Sequence, residues 1–326
     1  MRFFRMDEQA AHFDWNRAGP PRPKNGARSV TLLDETLRDG IQNASVVDPS
    51  IECKIEFLHA AHALGVEVVN AGYPASSRRS SEHARAICRE IAGGRLRIRP
   101  AAAARTLISD IEPILEIRER TGVELEAYVF IGSSPIRQLA EAWDIESLTA
   151  MSTLAIDFAV KRGLSVCFVT EDTTRSRPET LWTLWQNAID HGATRLCLAD
   201  TVGHATPDGA RSLVGFTRSM LASAGVNHVA LDWHGHNDRG FALHNAIAAL
   251  EAGVDRLHAT ALGIGERTGN VPMELLLRNL VLLGEMVSVE SAALERYSSL
   301  AGGFLRSSPA SGRAGLARPP GRSGLA

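Results

Sequence analysis

The stretch HVALDWHGHND, residues 228–238, decides how the chain is read. Its first half, HVALDW, is an apolar run of strand length that leads into two histidines, His234 and His236, at i and i+2. Side chains alternate faces along extended backbone, so these two imidazoles point to the same side. Asn237 and Asp238 begin the loop just beyond. Taken alone the pair has two readings: a clamp for one metal ion, or two hydrogen-bonded histidines near the end of a sheet. The rest of the chain discriminates between them.

Seven further runs of the same kind surround it: SVTLLDETL (29–37), VEVVNAGYP (66–74), RIRPAAAA (97–104), VELEAYVFIG (123–132), LSVCFVTED (164–172), TRLCLADT (194–201) and RLHATALGIG (256–265). Between them lie stretches such as IECKIEFLHAAHALG, ETLWTLWQNAIDHG and DGARSLVGFTRSMLASAG, whose apolar residues recur at three and four and which end in Gly65, Gly192 and Gly225. Strand and helix alternating eight times implies parallel pairing with right-handed crossovers, and the count matches a closed (β/α)8 TIM barrel of the α/β class. An open doubly wound sheet is the competing architecture, but it expects a glycine-rich phosphate turn after the first strand, and none is present.

The barrel pattern occupies residues 29–286. Residues 1–28 mix Phe3, Phe4, Phe13 and Trp15 with Pro20, Pro21 and Pro23, as an irregular N-terminal extension would. Residues 287–300 have room for one more short helix, and the Gly/Pro/Ser/Ala/Arg-rich remainder of 287–326 is expected to be a disordered C-terminal tail. At 44% hydrophobic and 22% charged, the 326 residues suit a globular chain with a sizeable core. A net charge of -2 gives no field favouring nucleic acid or a membrane surface, and no apolar run approaches the roughly 20 residues that span a bilayer. Cys53, Cys88, Cys167 and Cys197 form no CxxC pair and read as reduced packing residues of a cytoplasmic protein.

Barrel enzymes place their active sites at the carboxyl ends of the strands. Read to its end, each strand contributes: Arg38 and Asp39 after the first, Glu171 and Asp172 after the fifth, Asp200 and Thr201 after the sixth, His234 and His236 on the seventh, Glu266 and Asn270 after the eighth. Solvated loop ends would be served equally well by Ser, Asn and Gly. Asp39 offers a hard anionic oxygen, the histidines borderline nitrogens and Asn270 a neutral carbonyl oxygen, a mixed set that suits Mg2+, Mn2+, Zn2+ or Co2+. Arg38 is placed to stabilise an oxygen that becomes anionic.

The motifs LLDETLRDGIQ (32–42), EDTTRS (171–176), LADTVG (198–203), HGHNDRG (234–240) and GIGERTGN (263–270) together resemble the series of the DRE-TIM metallolyases, and within them most closely the Claisen-condensing synthases such as 2-isopropylmalate and homocitrate synthases. The resemblance covers about Ser29 to Met286. It implies that Asp39, His234, His236 and Asn270 hold a divalent metal ion, with Asp238 and Glu266 behind them to orient the ligands. Arg38 then polarises a carbonyl and Glu171 assists proton transfer. Thr201 holds a 2-oxo acid carboxylate, with Gln42 and Asn70 as further substrate contacts; His204, in TVGHATP, reads either as a cap of the loop after strand six or as a substrate contact. The implied activity is that of an acyltransferase of amino-acid biosynthesis, a homodimer joining acetyl-CoA or a close acyl-CoA to a 2-oxo acid, with the acyl group converted to alkyl on transfer.

Two departures accompany the resemblance. The strand-two motif in such synthases usually carries an acid where this chain has Asn70, which points to an altered oxo-acid pocket. Such synthases also continue past the barrel into a helical subdomain with a further His and Tyr, and often a regulatory domain. The expectation is therefore a truncated or frame-shifted member with weak or no condensing activity unless a partner chain completes the site. The nearest enzymatic rival, an acyl-CoA lyase of the 3-hydroxy-3-methylglutaryl type, uses a cysteine in the loop after strand eight, and GIGERTGN has none. A Schiff-base aldolase needs a lysine inside the barrel, whereas Lys24, Lys54 and Lys161 fall in the extension and on helices. A non-catalytic barrel is the rival of a different class. His258 and Thr260 share a face of strand eight and read as either pocket lining or hydrogen-bonded barrel residues. Gly263, Gly265 and Gly269 are expected to let the backbone turn so that Glu266 and Asn270 face the metal.

Overall fold

Eight parallel strands close into a barrel in chain order in the computed structural model, which describes residues 30–286 and 288–305. They are β1 (Thr31–Asp34), β2 (Val68–Asn70), β3 (Arg99–Arg105), β4 (Glu126–Gly132), β5 (Ser165–Glu171), β6 (Arg195–Asp200), β7 (Ala230–Gly235) and β8 (Arg256–Ala259). The β1–β8 pairing, Leu33 opposite His258, completes the ring. Seven lie inside runs expected to be strands and β3 ends one residue past its run, at Arg105, so the (β/α)8 reading stands. Ala101–Ala104 on β3 is a poor strand former by propensity. It extends because all four residues are buried, between the barrel lumen on one face and the helices on the other.

The helices are α1 (Ile51–Ala63), α2 (Arg78–Gly93), α3 (Ile108–Thr121), α4 (Pro135–Glu141), α5 (Ile145–Lys161), α6 (Pro178–Asp190), α7 (Pro207–Ser223), α8 (Ala242–Ala252), α9 (Met273–Leu282) and α10 (Ser291–Gly302). Short polar caps start several of them, with Ser50, Asp144 and Thr206 accepting from backbone amides of the first turn. Gly192 and Gly225 follow the ends of α6 and α7 at φ 97 and 70, the left-handed stop that their position suggests. The alternation of runs does not foreshadow α4, a second helix between β4 and β5 with no buried residue.

Past the barrel, α10 begins within 287–300 and ends at Gly302. Its Tyr297 is buried, donates to Oδ2 of Asp34 at 2.5 Å and packs its ring 4.9 Å from that of Phe57 on α1. The N-terminal extension and the tail from 306 onward lie outside the described residues. Among the described residues no helix is long and apolar enough to cross a membrane. All four cysteines are free, and only Cys53 is exposed.

Most of the core lies between strands and helices, while a second, smaller cluster of Leu33, Val68, Ala101, Tyr128, Cys167 and Cys197 fills the lumen. Below it the lumen is ionic. Arg195 reaches Asp232 at 2.6 Å and Glu126 at 3.2 Å, and Arg256 reaches Glu126 at 2.5 Å. Tyr128 donates to Asp232 at 2.6 Å. Glu126, Arg195 and Arg256 open β4, β6 and β8, so the end of the barrel opposite the strands' carboxyl ends is closed by paired charges. The other end stays open.

Candidate active site

Because inward positions recur every second residue, the ends of the strands converge on one cavity of about 330 Å³. Arg38, Asp39, Gln42, Asn70, Glu171, Thr201, His234, His236 and Glu266 all line it. Asp39 lies just past β1, and His234 is the penultimate residue of β7. His236 stands one residue beyond β7 in an isolated bridge to Asn270, which carries the extended geometry past the strand and brings the loop after β8 to the histidines.

Nε2 of His234 and Nε2 of His236 are 3.3 Å apart, and Oδ2 of Asp39 is 3.3 and 3.4 Å from them. Bonds of about 2.1 Å to one ion set neighbouring donor atoms about 3.0–3.4 Å apart in octahedral or tetrahedral arrangements, so this triangle fits a divalent cation. The chemistry agrees. Burial lowers the pKa of His236 to about 4 despite the attraction of Asp39, leaving a neutral imidazole, the form that ligates. Burial pushes the Asp39 carboxyl up, but Arg38 and the two histidines outweigh it and hold it well below the usual carboxylate range. Among the described residues, Nδ1 of each histidine is buried without a hydrogen-bond partner, and the two rings meet on the Nε2 side.

The loop after β8 completes this corner. The Glu266 amide donates to Oδ1 of Asp39 at 3.0 Å, so residue 266 acts on the carboxylate through its backbone while its side chain lies half exposed near Arg267. Asn270 is buried against Gly265. Gly263 and Gly269 have φ of 63 and 94, as a sharp turn requires. Gly265 has a different reason: a Cβ there would overlap Nδ2 of Asn270 and stand 3.2 Å from Oδ1 of Asp39. Asp238 lies away from the triangle and pairs with Arg267 at 2.8 and 3.0 Å, and Arg267 also donates to the carbonyl of Thr201. The two residues thereby tie together the loops after β6, β7 and β8.

Across the cavity, burial raises the pKa of Glu171, opposed by Arg137 of α4, whose Nε is 3.3 Å from Oε1. Thr201 accepts from the amide of Asp172 at 2.8 Å and keeps its own hydroxyl proton to donate. Tyr73, Ala103, Phe130 and Val169 make an apolar wall, with Tyr73 edge-on to Phe130. His204 is not brought in. Its amide is held by Asp200 at 2.8 Å and its carbonyl by Arg239, and it lines a separate cleft.

Besides the apolar wall and Arg137, Glu35 and Arg267 were not anticipated from sequence. Glu35 accepts from Nε of Arg38 at 2.7 Å and from Nδ2 of Asn70 at 3.3 Å. Its signal, an acid three residues before an arginine, is too common to mark it. Arg267 falls in the glycine-rich loop and adopts φ 55. His258 satisfies both of its readings, lining the cavity and bonding Asp232 at 3.0 Å.

The model of the HMGL-like family matches residues 29–300, spanning the barrel and nearly all of α10. The chain belongs to this family. It is 33% identical over 266 residues to a 2-isopropylmalate synthase of Pyrococcus furiosus, covering 81% of this chain and 52% of that one. It is 34% identical over 255 residues to a 2-isopropylmalate synthase of Xylella fastidiosa, covering 76% and 46%. The chain thus spans about half the length of the curated relatives it matches. The HMGL-like barrel also superposes on an HMG-CoA lyase of Pseudomonas aeruginosa at a TM-score of 0.69 and 23% identity, covering 84% of this chain and 92% of that one. The corresponding values for an HMG-CoA lyase of Brucella melitensis are 0.67, 20%, 86% and 99%. At these identities the two structures speak to the fold.

Proposed function

We propose that the chain condenses acetyl-CoA, or a close acyl-CoA, with a 2-oxo acid and water to give a 2-alkylmalate-type product and free CoA, in the manner of a 2-isopropylmalate synthase. The observation that carries this reading is the triangle of Asp39, His234 and His236 at the cavity, with Arg38 beside it and Glu171 across from it. The 2-isopropylmalate synthases among its relatives support it.

Asp39, His234, His236 and Asn270 would hold a divalent cation, which when bound supplies Lewis-acid polarisation of a chelated carbonyl. Thr201 donates its hydroxyl to the oxo-acid carboxylate. Arg38 aims N–H donors at the keto oxygen as negative charge develops there. Glu171, made a stronger base by burial, accepts a proton from the thioester methyl, and Arg137 limits how far its pKa climbs. The wall of Tyr73, Ala103, Phe130 and Val169 excludes water from the carbon atoms that join. The working form would be a homodimer in the cytosol.

The lyase alternative is less well supported. Residues 263–270 carry no cysteine, and burial pushes the Cys197 thiol in the cavity wall well above its ordinary value, keeping it protonated. The test is thiol release by the full chain from acetyl-CoA across a panel of 2-oxo acids, with and without Mg2+, Mn2+, Zn2+ or Co2+. Release that needs both cation and oxo acid is expected, and it is expected to be weak where no partner chain completes the site. A chain that binds cation yet releases no CoA with any of them overturns the proposal.

A further inference from the structure

We infer that Glu35 is a positioning residue that keeps Arg38 from capturing Asp39, and so keeps the Asp39 carboxylate available to a divalent cation. The inference rests on reading Asp39, His234 and His236 as a cation site.

Arg38 has two carboxylates within reach. Its Nε donates to Oε2 of Glu35 at 2.7 Å, whereas its Nη1 stands 3.5 Å from Oδ2 of Asp39. That Oδ2 is the oxygen facing Nε2 of both His234 and His236. Arginine pairs most strongly with a carboxylate through two parallel N–H···O bonds. A full pair with Asp39 would occupy the oxygen that a cation needs. With Nε committed to Glu35, Arg38 is left with a single long approach to Asp39.

Glu35 is itself held from its other oxygen. Asn70 donates to Oε1 at 3.3 Å, and Nδ1 of His258 lies 3.5 Å from the same atom. His258 is anchored in turn, its Nε2 3.0 Å from Oδ2 of Asp232, which is tied to Arg195 and Tyr128 in the floor of the lumen. Glu35, His258 and Asp232 are all buried, so each of these contacts weighs more than it would in open solvent. The orientation of Arg38 is therefore set by contacts that start at the closed end of the barrel and reach the mouth through one carboxylate.

The test is Mn2+ affinity, measured by titration calorimetry on the full chain and its Glu35→Gln, Arg38→Gln and doubly substituted forms. Glu35→Gln is expected to weaken Mn2+ binding about tenfold where Arg38 is present, and less than about twofold where it is Gln. An equal loss in both backgrounds overturns the inference, because it would reflect only the removal of a nearby negative charge. No loss in either background also overturns it. Failure of the unsubstituted chain to bind Mn2+ would instead overturn the reading of the triangle as a cation site. Circular dichroism checks folding. If Glu35→Gln does not fold, Glu35→Asp, which keeps the charge but withdraws it from Nε of Arg38, passes through the same cycle under the same criteria.

Discussion

Nε2 of His234 lies 3.3 Å from Nε2 of His236, and among the described residues neither ring has a hydrogen-bond partner at Nδ1, so the two imidazoles face one another on the Nε2 side. With Oδ2 of Asp39 at the third corner, three acceptor-bearing groups face one another. One proton cannot bridge all three edges of that triangle, whereas one cation can. At a cation concentration of about 100 Kd the folded chain should gain about 2.7 kcal/mol, a rise in Tm of roughly 4–5 °C. Differential scanning fluorimetry with Mn2+ or Zn2+ should show this shift, reversed by EDTA and absent from the His234→Ala/His236→Ala variant. An equal shift in that variant would place the cation elsewhere.

Gly265 supplies a more selective perturbation of the same corner. An added methyl overlaps Nδ2 of Asn270 and crowds Oδ1 of Asp39, the oxygen held by the Glu266 amide. The backbone of Gly265 is not in the left-handed region, so Gly265→Ala acts through space rather than strain. It should lower cation affinity by about tenfold or more while costing only about 1–3 kcal/mol of stability. Calorimetric titration alongside urea melts checks this, and unchanged affinity in the folded variant would show that Asn270 has no part in cation binding.

Asp34 predicts how stability depends on pH. Burial raises its pKa from 3.8 to about 6, even though Thr36 and Tyr297 donate to the carboxylate. A folded-state pKa above the unfolded one means that the native chain binds the proton more tightly. The contribution is then fully present below about pH 3.8 and is lost as pH rises through about 6. Wild type should lose on the order of 3 kcal/mol between pH 4 and 7 relative to Asp34→Asn. Urea unfolding of both proteins at unit pH steps measures the difference, and a gap that stays constant across the window would contradict the assignment to Asp34.

These residues also show what could be read before folding. The eight runs were legible because a buried strand needs consecutive apolar residues, and even PAAAA on β3 keeps that signature. Asp39, Glu171, Thr201 and His234 could be assigned to the mouth because a residue at the end of a barrel strand faces the same opening as its counterparts on the other strands. Contacts that depend on closure were not legible. Arg256 meets Glu126 across 130 positions and Asn70 meets Glu35 across 35, and no local pattern records either pairing. His204 misled for a related reason. It follows a mouth residue in sequence, but Asp200 caps the loop through the amides of His204 and Ala205 and turns it outward.

Glu171 is where the proposed chemistry and the geometry part most cleanly. It lines the same cavity as Asp39, His234 and His236 and makes its ion pair with Arg137, not with any of those three. Glu171→Gln keeps the shape and removes the base. A general base typically contributes about 10²–10⁴-fold to rate, so kcat for thiol release should fall by at least about 100-fold. KM for the oxo acid and Mn2+ affinity should change by no more than about threefold, since neither depends on proton transfer. Steady-state kinetics with the 2-oxo acid that proves active, together with calorimetric Mn2+ titration, make the separation. A variant that loses cation binding as well would show that Glu171 supports the site's structure, and one that retains kcat would move the base to another residue of the cavity.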